Sequence, residues 1–331
     1  MSVNGKKFFF GIACVIGISS VAFGQTFPQR LDGATSAQAP FSSTGLIDTQ
    51  VGSAFYRGSG AVARDSRLVF TCAHTAFDRG VWANSIRIAV GWNARFDATN
   101  YAELRGWRYF ASYASSALEN QDSPETFGLD FLVGFSTTPL GPVVRVRENG
   151  ATVLMDASVH KMIVGYPAVI DFNDQPGLFF MHRTGPFAGS FTQESGSYYG
   201  ISRVSTGSGN SGGPLFESST GVWTLSAILV SGSKNSLGVF AIDPAAIQLS
   251  DRALEALGSA PPSPTPTPAS NWSGGSSSPA YTVDGLLALQ ASLVTRIDQA
   301  RRIKDPKARA IQSRRLRFLL LEVYEQISAQ S

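Results

Sequence analysis

The sequence predicts an all-β domain, and two observations support this. Before about residue 245, short β-rich runs separated by glycines are frequent, and segments with helical periodicity are scarce. The chain has 331 residues, 43% of them hydrophobic, which is enough for a large core in one two-lobed domain or two small ones. The net charge of +3 is too slight to indicate a nucleic acid as partner.

The first 24 residues have the pattern of a secretory signal peptide. Two lysines precede an apolar run over residues 8–21, and small residues occupy the two positions before Gln25 that decide cleavage. We therefore expect cleavage between Gly24 and Gln25 and a secreted or periplasmic mature protein. An uncleaved membrane anchor is the alternative.

Residues 25–44 are rich in serine, threonine, alanine and glutamine. This composition fits either a propeptide or a flexible N-terminal extension. After removal of the signal peptide Cys72 is the only cysteine, so no intrachain disulfide can form. We expect Cys72 to act as a small buried hydrophobic residue.

The predicted all-β domain spans residues 45–258, and its strands come in two groups separated by a polar stretch. Residues 86–90 alternate polar and apolar side chains, as a strand with one solvated face should. Residues 112–126 are polar and predict a loop. Residues 244–257 carry apolar side chains at helical spacing and predict a closing helix. The other strand-like runs are 51–56, 58–63, 68–72, 107–109, 158–166, 178–182, 198–204 and the two runs after Ser211.

The segment over residues 206–215 carries the clearest chemical signal. Ser211 lies in the string Gly-Asn-Ser-Gly-Gly-Pro, ahead of an apolar run. Glycines permit a tight turn that exposes a hydroxyl and points backbone N–H groups at one place. A nucleophile beside such donors is the arrangement that attack on a carbonyl requires. A Gly/Ser-rich surface loop is the alternative interpretation.

A nucleophilic serine needs a base, and the chain has three histidines. His74 directly follows an apolar β-rich run, where a general base can be held firmly and still reach a cleft. His160 and His182 lie inside strand-like runs, and we expect them to be ordinary half-exposed residues.

Asp130 is the candidate for the residue that orients the base. It lies in an otherwise apolar run over residues 127–135, where burying a charge is costly unless the charge has a partner. The imidazole N–H of His74 is the partner we propose; a strand-end turn residue is the alternative. Asp97, Asp122 and Asp171 have more polar surroundings and are weaker candidates.

The order His74, Asp130, Ser211 discriminates between folds. No histidine follows Ser211, which argues against an α/β-hydrolase. With segments 71–74, 129–132, 209–215 and 222–232, the chain resembles the chymotrypsin/trypsin-fold serine endopeptidases. The resemblance implies two six-stranded antiparallel β-barrels with a His–Asp–Ser triad between them. It also implies an oxyanion hole formed by the N–H groups of Gly209 and Ser211.

The resemblance also indicates how substrates are selected. Ser205 supplies no carboxylate for a basic side chain, and Leu229 replaces the histidine that glutamyl endopeptidases use, so a neutral pocket for apolar or small side chains is implied. In trypsin-like zymogens the residue before the serine is an aspartate that pairs with the N-terminal ammonium formed on activation. Asn210 occupies this position, as in bacterial secreted members, and carries no charge, so the resemblance implies that activity does not depend on such an ion pair. The implied pocket residues are Ser205, Thr206, Val230, Ser231, Gly232 and Gly238.

Two further segments follow the predicted domain. Residues 259–280 form a Pro/Ser/Gly-rich linker, stiff in its first half. Residues 281–331 predict a separate basic α-helical hairpin with apolar stripes. It is either a solvated hairpin or a module that contacts an anionic envelope or a partner helix.

Together these patterns predict a secreted serine endopeptidase that cleaves protein or peptide substrates and needs no cofactor or metal. A catalytically silent homologue that binds peptides or a surface, and an esterase on the same scaffold, are the alternatives.

Overall fold

The computed structural model describes residues 26–52, 54–93, 101–170, 175–176, 180–219 and 221–258, together with Val294. The chain divides into two units, Met1–Thr265 and Pro266–Ser331, and the strands of the described ranges all lie in the first unit. The predicted signal peptide and linker lie outside the described residues, as does the predicted helical hairpin apart from Val294.

Nineteen strands are named in the described part of the chain. Those up to residue 135 are β1 (Pro28–Arg30), β2 (Thr44–Val51), β3 (Ala54–Val62), β4 (Leu68–Thr71), β5 (Phe77–Asp78), β6 (Val81–Trp82), β7 (Ser85–Val90), β8 (Ala102–Glu103), β9 (Gly106–Tyr109) and β10 (Leu132–Phe135). Those after it are β11 (Lys161–Gly165), β12 (Val169–Ile170), β13 (Gln175–Pro176), β14 (His182–Thr184), β15 (Thr192–Ser195), β16 (Tyr198–Ser202), β17 (Pro214–Glu217), β18 (Thr224–Gly232) and β19 (Ser236–Ala241).

Five helices accompany them: α1 (Gly33–Ser36), α2 (Tyr113–Asn120), α3 (Pro124–Phe127), α4 (Gly150–Met155) and α5 (Pro244–Gly258). Short 3-10 turns occupy Phe41–Ser43 and Ala73–Thr75. None of the helices in the described ranges has the length and apolar character that crossing a membrane requires.

The first barrel is an antiparallel sheet in the order β8-β7-β2-β3-β4-β10-β9. Its long central pair aligns Leu46 with Ser59, and β4 pairs in turn with β10. The inward residues of these strands form one apolar core around Ile47, Val69 and Leu132. Burial of this face explains the runs of apolar residues from which the strands were predicted.

The second barrel is an eight-stranded sheet in the order β1-β14-β11-β17-β18-β19-β16-β15. Its outermost strand comes from the N-terminal extension, since Pro28–Arg30 pairs antiparallel with His182–Thr184. The two-barrel all-β fold with a helix near the end of the domain is therefore confirmed. The sheets contain seven and eight strands rather than six each, because short edge strands such as β8 and β1 extend them.

The prediction of a loop over residues 112–126 is wrong, because α2 and α3 lie there. Tyr113 is the main apolar anchor of α2: its side chain is fully buried, its ring centroid lies 5.8 Å from that of Phe77, and the small half-buried residues Ala114 and Ala117 pack against the same core. Ser123 caps α3 by accepting a hydrogen bond from Thr126 N at 3.1 Å. One tyrosine in a polar stretch gives no helical stripe that a sequence pattern could reveal.

The predicted closing helix forms as α5, Pro244–Gly258. Asp243 accepts a hydrogen bond from Ala246 N at 2.8 Å, which stabilises the start of the helix. The buried face includes Ile247 and Leu249. Arg64 of the first barrel donates to the Ile247 carbonyl at 3.1 Å, so the helix is fastened to the barrel that comes first in the sequence.

Candidate active site

The structure brings His74 and Asp130 together. His74 lies in the 3-10 turn that follows β4, and Asp130 precedes β10, the neighbour of β4. One Asp130 oxygen accepts the His74 backbone N–H at 2.9 Å, and the other accepts Nδ1–H at 2.5 Å. The carboxylate is 1% exposed and the imidazole 22%. This double contact fixes both the position and the tautomer of the ring, so that Nε2 is left to act as a base.

Electrostatics at the pair favour the protonated ring. Burial is the largest single influence and lowers the pKa of His74, but the charge and hydrogen bond of Asp130, together with the adjacent Cys72 sulfur, outweigh it, so the pKa is raised well above 6.5. His74 therefore takes up a proton readily, as a general base in acyl transfer must.

Cys72 is the neighbour of the free imidazole nitrogen. Its sulfur lies 3.6 Å from His74 Nε2, and its side chain is fully buried, as expected from the sequence. Burial raises the pKa of the Cys72 thiol, which stays neutral and inert. Within the described residues, the Ser211 hydroxyl makes no hydrogen bond to His74. Nε2 must therefore exchange its contact with the sulfur for the hydroxyl before a proton can move.

The loop that carries Ser211 is tied to the first barrel through Ser59 of β3. Ser59 N donates to the Ser211 carbonyl at 2.7 Å, and Ser59 Oγ donates to the Gly209 carbonyl at 2.8 Å. The same hydroxyl accepts Tyr166 N–H at 2.9 Å. Sequence reasoning missed Ser59, because a serine in a Gly-Ser-Gly string carries no sign of contacts some 150 residues away.

Close packing at Gly212 places the Ser211 loop against the end of β4. Gly212 has φ +80°, and a Cβ there would overlap Thr71 Oγ1 and the Ser59 carbonyl, so only glycine fits. Thr71 is the last residue of β4, three positions before His74. The three predicted residues thus gather at the boundary between the barrels, two from the first and Ser211 from the second.

The backbone around Ser211 offers two free donors. The Ser208 carbonyl accepts Ala168 N–H at 2.7 Å, so the N–H of the same peptide, that of Gly209, points the opposite way. Gly209 has φ +94°, which a glycine adopts without strain. Among the hydrogen bonds of the described chain, neither Gly209 N nor Ser211 N is a donor. These are the two amides that the resemblance implies for an oxyanion hole.

The predicted pocket residues lie next to this loop. Ser205, Thr206 and Val230 are buried, and Ser205 Oγ has no hydrogen-bond partner among the described residues. Asn210, which directly precedes the serine, is 3% exposed, and its Oδ1 accepts no hydrogen bond from that part of the chain. It stays a prediction that activity does not require an ion pair between residue 210 and an N-terminal ammonium.

The other titratable candidates lie away from this site or outside the described residues. His182 is buried at 5% exposure, donates from Nδ1 to the Phe180 carbonyl at 2.8 Å, and has a pKa lowered by burial. The expectation that it is half-exposed is wrong, because β1 covers its strand. His160 and Asp122 are exposed. Asp97 and Asp171 lie outside the described residues.

Cys72, His74 and Asp130 also form the one metal-ligand-type cluster found among the described residues, with ligand atoms within 4.8 Å of one another. Both Asp130 oxygens are already engaged by His74. The contact between His74 and Asp130 therefore accounts for the cluster.

Comparison with known proteins gives structural matches only. Neither a family model nor a curated protein matches the sequence. The crystal structure of the protease Anisep from Arthrobacter nicotinovorans is 16% identical, with a TM-score of 0.50 over 68% of this chain and 98% of that one. A Glu endopeptidase structure is 15% identical, with a TM-score of 0.50 over 70% of this chain and 97% of its own. The chain thus shares its fold with these two proteases.

Proposed function

We propose that this protein is a serine endopeptidase that cleaves peptide bonds through Ser211, His74 and Asp130. Ser211 Oγ attacks the carbonyl carbon while His74 Nε2 accepts the hydroxyl proton. His74 then gives this proton to the leaving amine, and the acyl-enzyme is hydrolysed by the same steps with water as nucleophile. Asp130 holds the ring and stabilises the imidazolium, and the N–H groups of Gly209 and Ser211 bind the oxyanion.

The observation that carries the proposal has two parts. Asp130 accepts hydrogen bonds from both the backbone N–H and the ring Nδ1–H of His74, and the adjoining Ser211 loop has two backbone N–H groups that donate no hydrogen bond within the described chain. A structural histidine has no need of a carboxylate on both its backbone and its ring nitrogen. A structural loop has no need of a tight turn that leaves two neighbouring N–H groups without an acceptor. Acyl transfer requires both features together.

The proposal extends to substrate and location. The pocket beside Ser211 contains hydroxyl and apolar side chains and no charge, so it suits neutral side chains. The signal-like first 24 residues support export, and with it a protein or peptide substrate outside the cytoplasm. The basic segment over residues 281–331 is proposed to contact an envelope or a partner helix.

One observation favours a second candidate, a silent homologue that binds peptides without cleaving them. His74 Nε2 faces the Cys72 sulfur rather than the Ser211 hydroxyl. Catalytic hydrogen bonds are often loose before substrate binds, which weighs toward the enzyme.

Cleavage of a peptide library by wild type and by Ser211→Ala separates the two candidates. If the protein is a serine endopeptidase, the wild type cleaves the library, and Ser211→Ala lowers the rate by about 10⁶-fold or to background without changing the circular dichroism spectrum. Equal cleavage by both proteins, or binding without cleavage by the wild type, would contradict it. Ser208→Ala, in the same loop, is the matched control and should retain activity.

A further inference from the structure

Two segments that the resemblance assigns to the side-chain pocket adjoin the Ser211 loop, and the space between these two walls is called the crevice. One is the segment Ser205–Thr206, which leads into the Ser211 loop. The other is the end of β18, which Gly212 N–H reaches by donating to the Leu229 carbonyl at 2.8 Å. A substrate residue whose carbonyl carbon lies at Ser211 Oγ would direct its side chain between these walls.

The walls touch each other. Thr206 N–H donates to the Ser233 carbonyl at 3.2 Å, across the crevice. A Cβ added at Gly232 would overlap Thr206 Oγ1. Thr206 Oγ1 therefore occupies the space directly beside Gly232, where a side chain at that position would begin.

Tyr198 occupies the space deeper in the crevice. Its side chain reaches from β16 across β19, and its hydroxyl is hydrogen-bonded to Ser231 Oγ at 2.9 Å. A Cβ added at Gly238 would overlap both the Tyr198 ring and its hydroxyl. The ring is held from behind by Phe127, with centroids 5.1 Å apart, and the residue is only 8% exposed. In this position the Tyr198 hydroxyl has a hydrogen-bond partner and its ring is packed against Phe127.

We propose that Tyr198 fills the side-chain pocket and restricts the residue before the cleaved bond to glycine, with alanine tolerated less well. This rests on the proposed function and narrows it from neutral side chains to the smallest ones. Glycine carries no side chain and fits the closed crevice as it stands. A leucine or phenylalanine would have to displace the phenol, break its bond to Ser231 and separate Thr206 from Ser233.

The test is a set of fluorogenic peptides that differ only in the residue before the cleaved bond: glycine, alanine, leucine or phenylalanine. For wild type we expect kcat/KM to fall by about 100-fold or more from glycine to phenylalanine, since even one misfitting methylene costs about 10–200-fold. Tyr198→Ala should open the space and lower this ratio at least tenfold, through a gain on the large side chains. Tyr198→Leu, which still packs on Phe127, should shift the ratio the same way if the alanine variant does not fold.

Tyr199→Ala is the matched control. Tyr199 is the adjacent residue of β16 and is about equally buried, but its side chain packs on the other face of the sheet, in the core that contains Leu237 and Val239. Its replacement should therefore lower stability and leave the ratio of kcat/KM between glycine and phenylalanine peptides unchanged. Ser211-dependent cleavage with equal or greater rates after large residues would overturn the inference and leave the proposed function standing. So would a folded Tyr198 variant with an unaltered ratio. If wild type cleaves none of the peptides in a Ser211-dependent way, the proposed function falls, and this inference with it.

Discussion

At the scale of single residues, the site depends on one buried carboxylate. Asp130 is 1% exposed and engages His74 with both oxygens, so its charge is compensated and the ring cannot turn. A buried carboxylate without this partner would be costly. The same contact sets the proton affinity of the base.

The pH dependence of activity follows from this contact. Because the pKa of His74 lies above 6.5 and only the neutral ring acts as a base, kcat/KM should rise with pH through a midpoint above 6.5. Asp130→Asn removes the charge that raises the pKa while burial, which lowers it, remains. Its midpoint should therefore move to lower pH, and its maximal rate should fall about 10⁴-fold.

Initial rates on a small ester between pH values of about 5 and 9 measure both midpoints. Asp122→Asn, an exposed carboxylate near α3, is the control and should behave as wild type. A wild-type midpoint below 6.5, or an unmoved midpoint in Asp130→Asn, would contradict this account of the pair.

Ser59 offers a second test at this scale. Ser59→Ala leaves the buried Tyr166 N–H without an acceptor and frees the Gly209 carbonyl. We expect a loss of about 1–3 kcal/mol in the free energy of unfolding. We also expect a drop in kcat of about tenfold or more, since the oxyanion donors are then less firmly placed.

Ser43→Ala is the matched control, because Ser43 is equally buried but its hydroxyl bonds to Pro40 within its own turn. It should lose stability and keep kcat. Urea melts and turnover numbers compare the two variants. Equal kcat in both would show that Ser59 has a structural role alone.

The sequence could single out His74, Asp130 and Ser211 because their signals are local. Glycines surround Ser211, and apolar runs adjoin His74 and Asp130. The contacts of Ser59 and Tyr198 could not be predicted, since each depends on which strands pair across the fold.

At the scale of elements, long periodic segments were predictable and short ones were not. The apolar spacing over residues 244–257 identified α5, whereas α2 is held by Tyr113 alone among its buried residues. β1 was missed because a three-residue strand at a sheet edge has no periodicity to detect.

The segment over residues 136–160 connects the last strand of the first barrel in the sequence, β10, to β11 of the second, and is called the crossover. It gives a prediction at this scale. Arg147 N–H donates to the Leu225 carbonyl of β18 at 2.8 Å, and its Nε donates to the fully buried Glu217 of β17 at 2.7 Å. Arg147→Ala would leave Glu217 buried without this cation. Because the Arg147 side chain is 30% exposed, we expect a loss of about 2 kcal/mol, less than for a fully buried pair.

Denaturant unfolding of Arg147→Ala and of Arg145→Ala measures this loss. Arg145 is exposed in the same crossover and serves as the control, with an expected change within about 0.5 kcal/mol. Equal stability of the two variants would mean that the ion pair does not fasten the crossover.

At the scale of the whole domain, the fold brings together chemistry that the chain separates. His74 and Asp130 belong to the first barrel and Ser211 to the second, and Ser59 joins the two by hydrogen bonds to the Ser211 loop. Neither barrel alone holds both the proposed base and the proposed nucleophile. Activity should therefore be lost together with the native packing of the two barrels.

The central claim is that Ser211 is a nucleophile activated by His74, and covalent labelling with a fluorophosphonate tests it most directly. Intact and peptide mass spectrometry should locate a single adduct on Ser211 in wild type. The adduct should be absent in Ser211→Ala and form far more slowly in folded His74→Ala. A folded wild type that takes up no label, or carries it on another residue, would contradict the account.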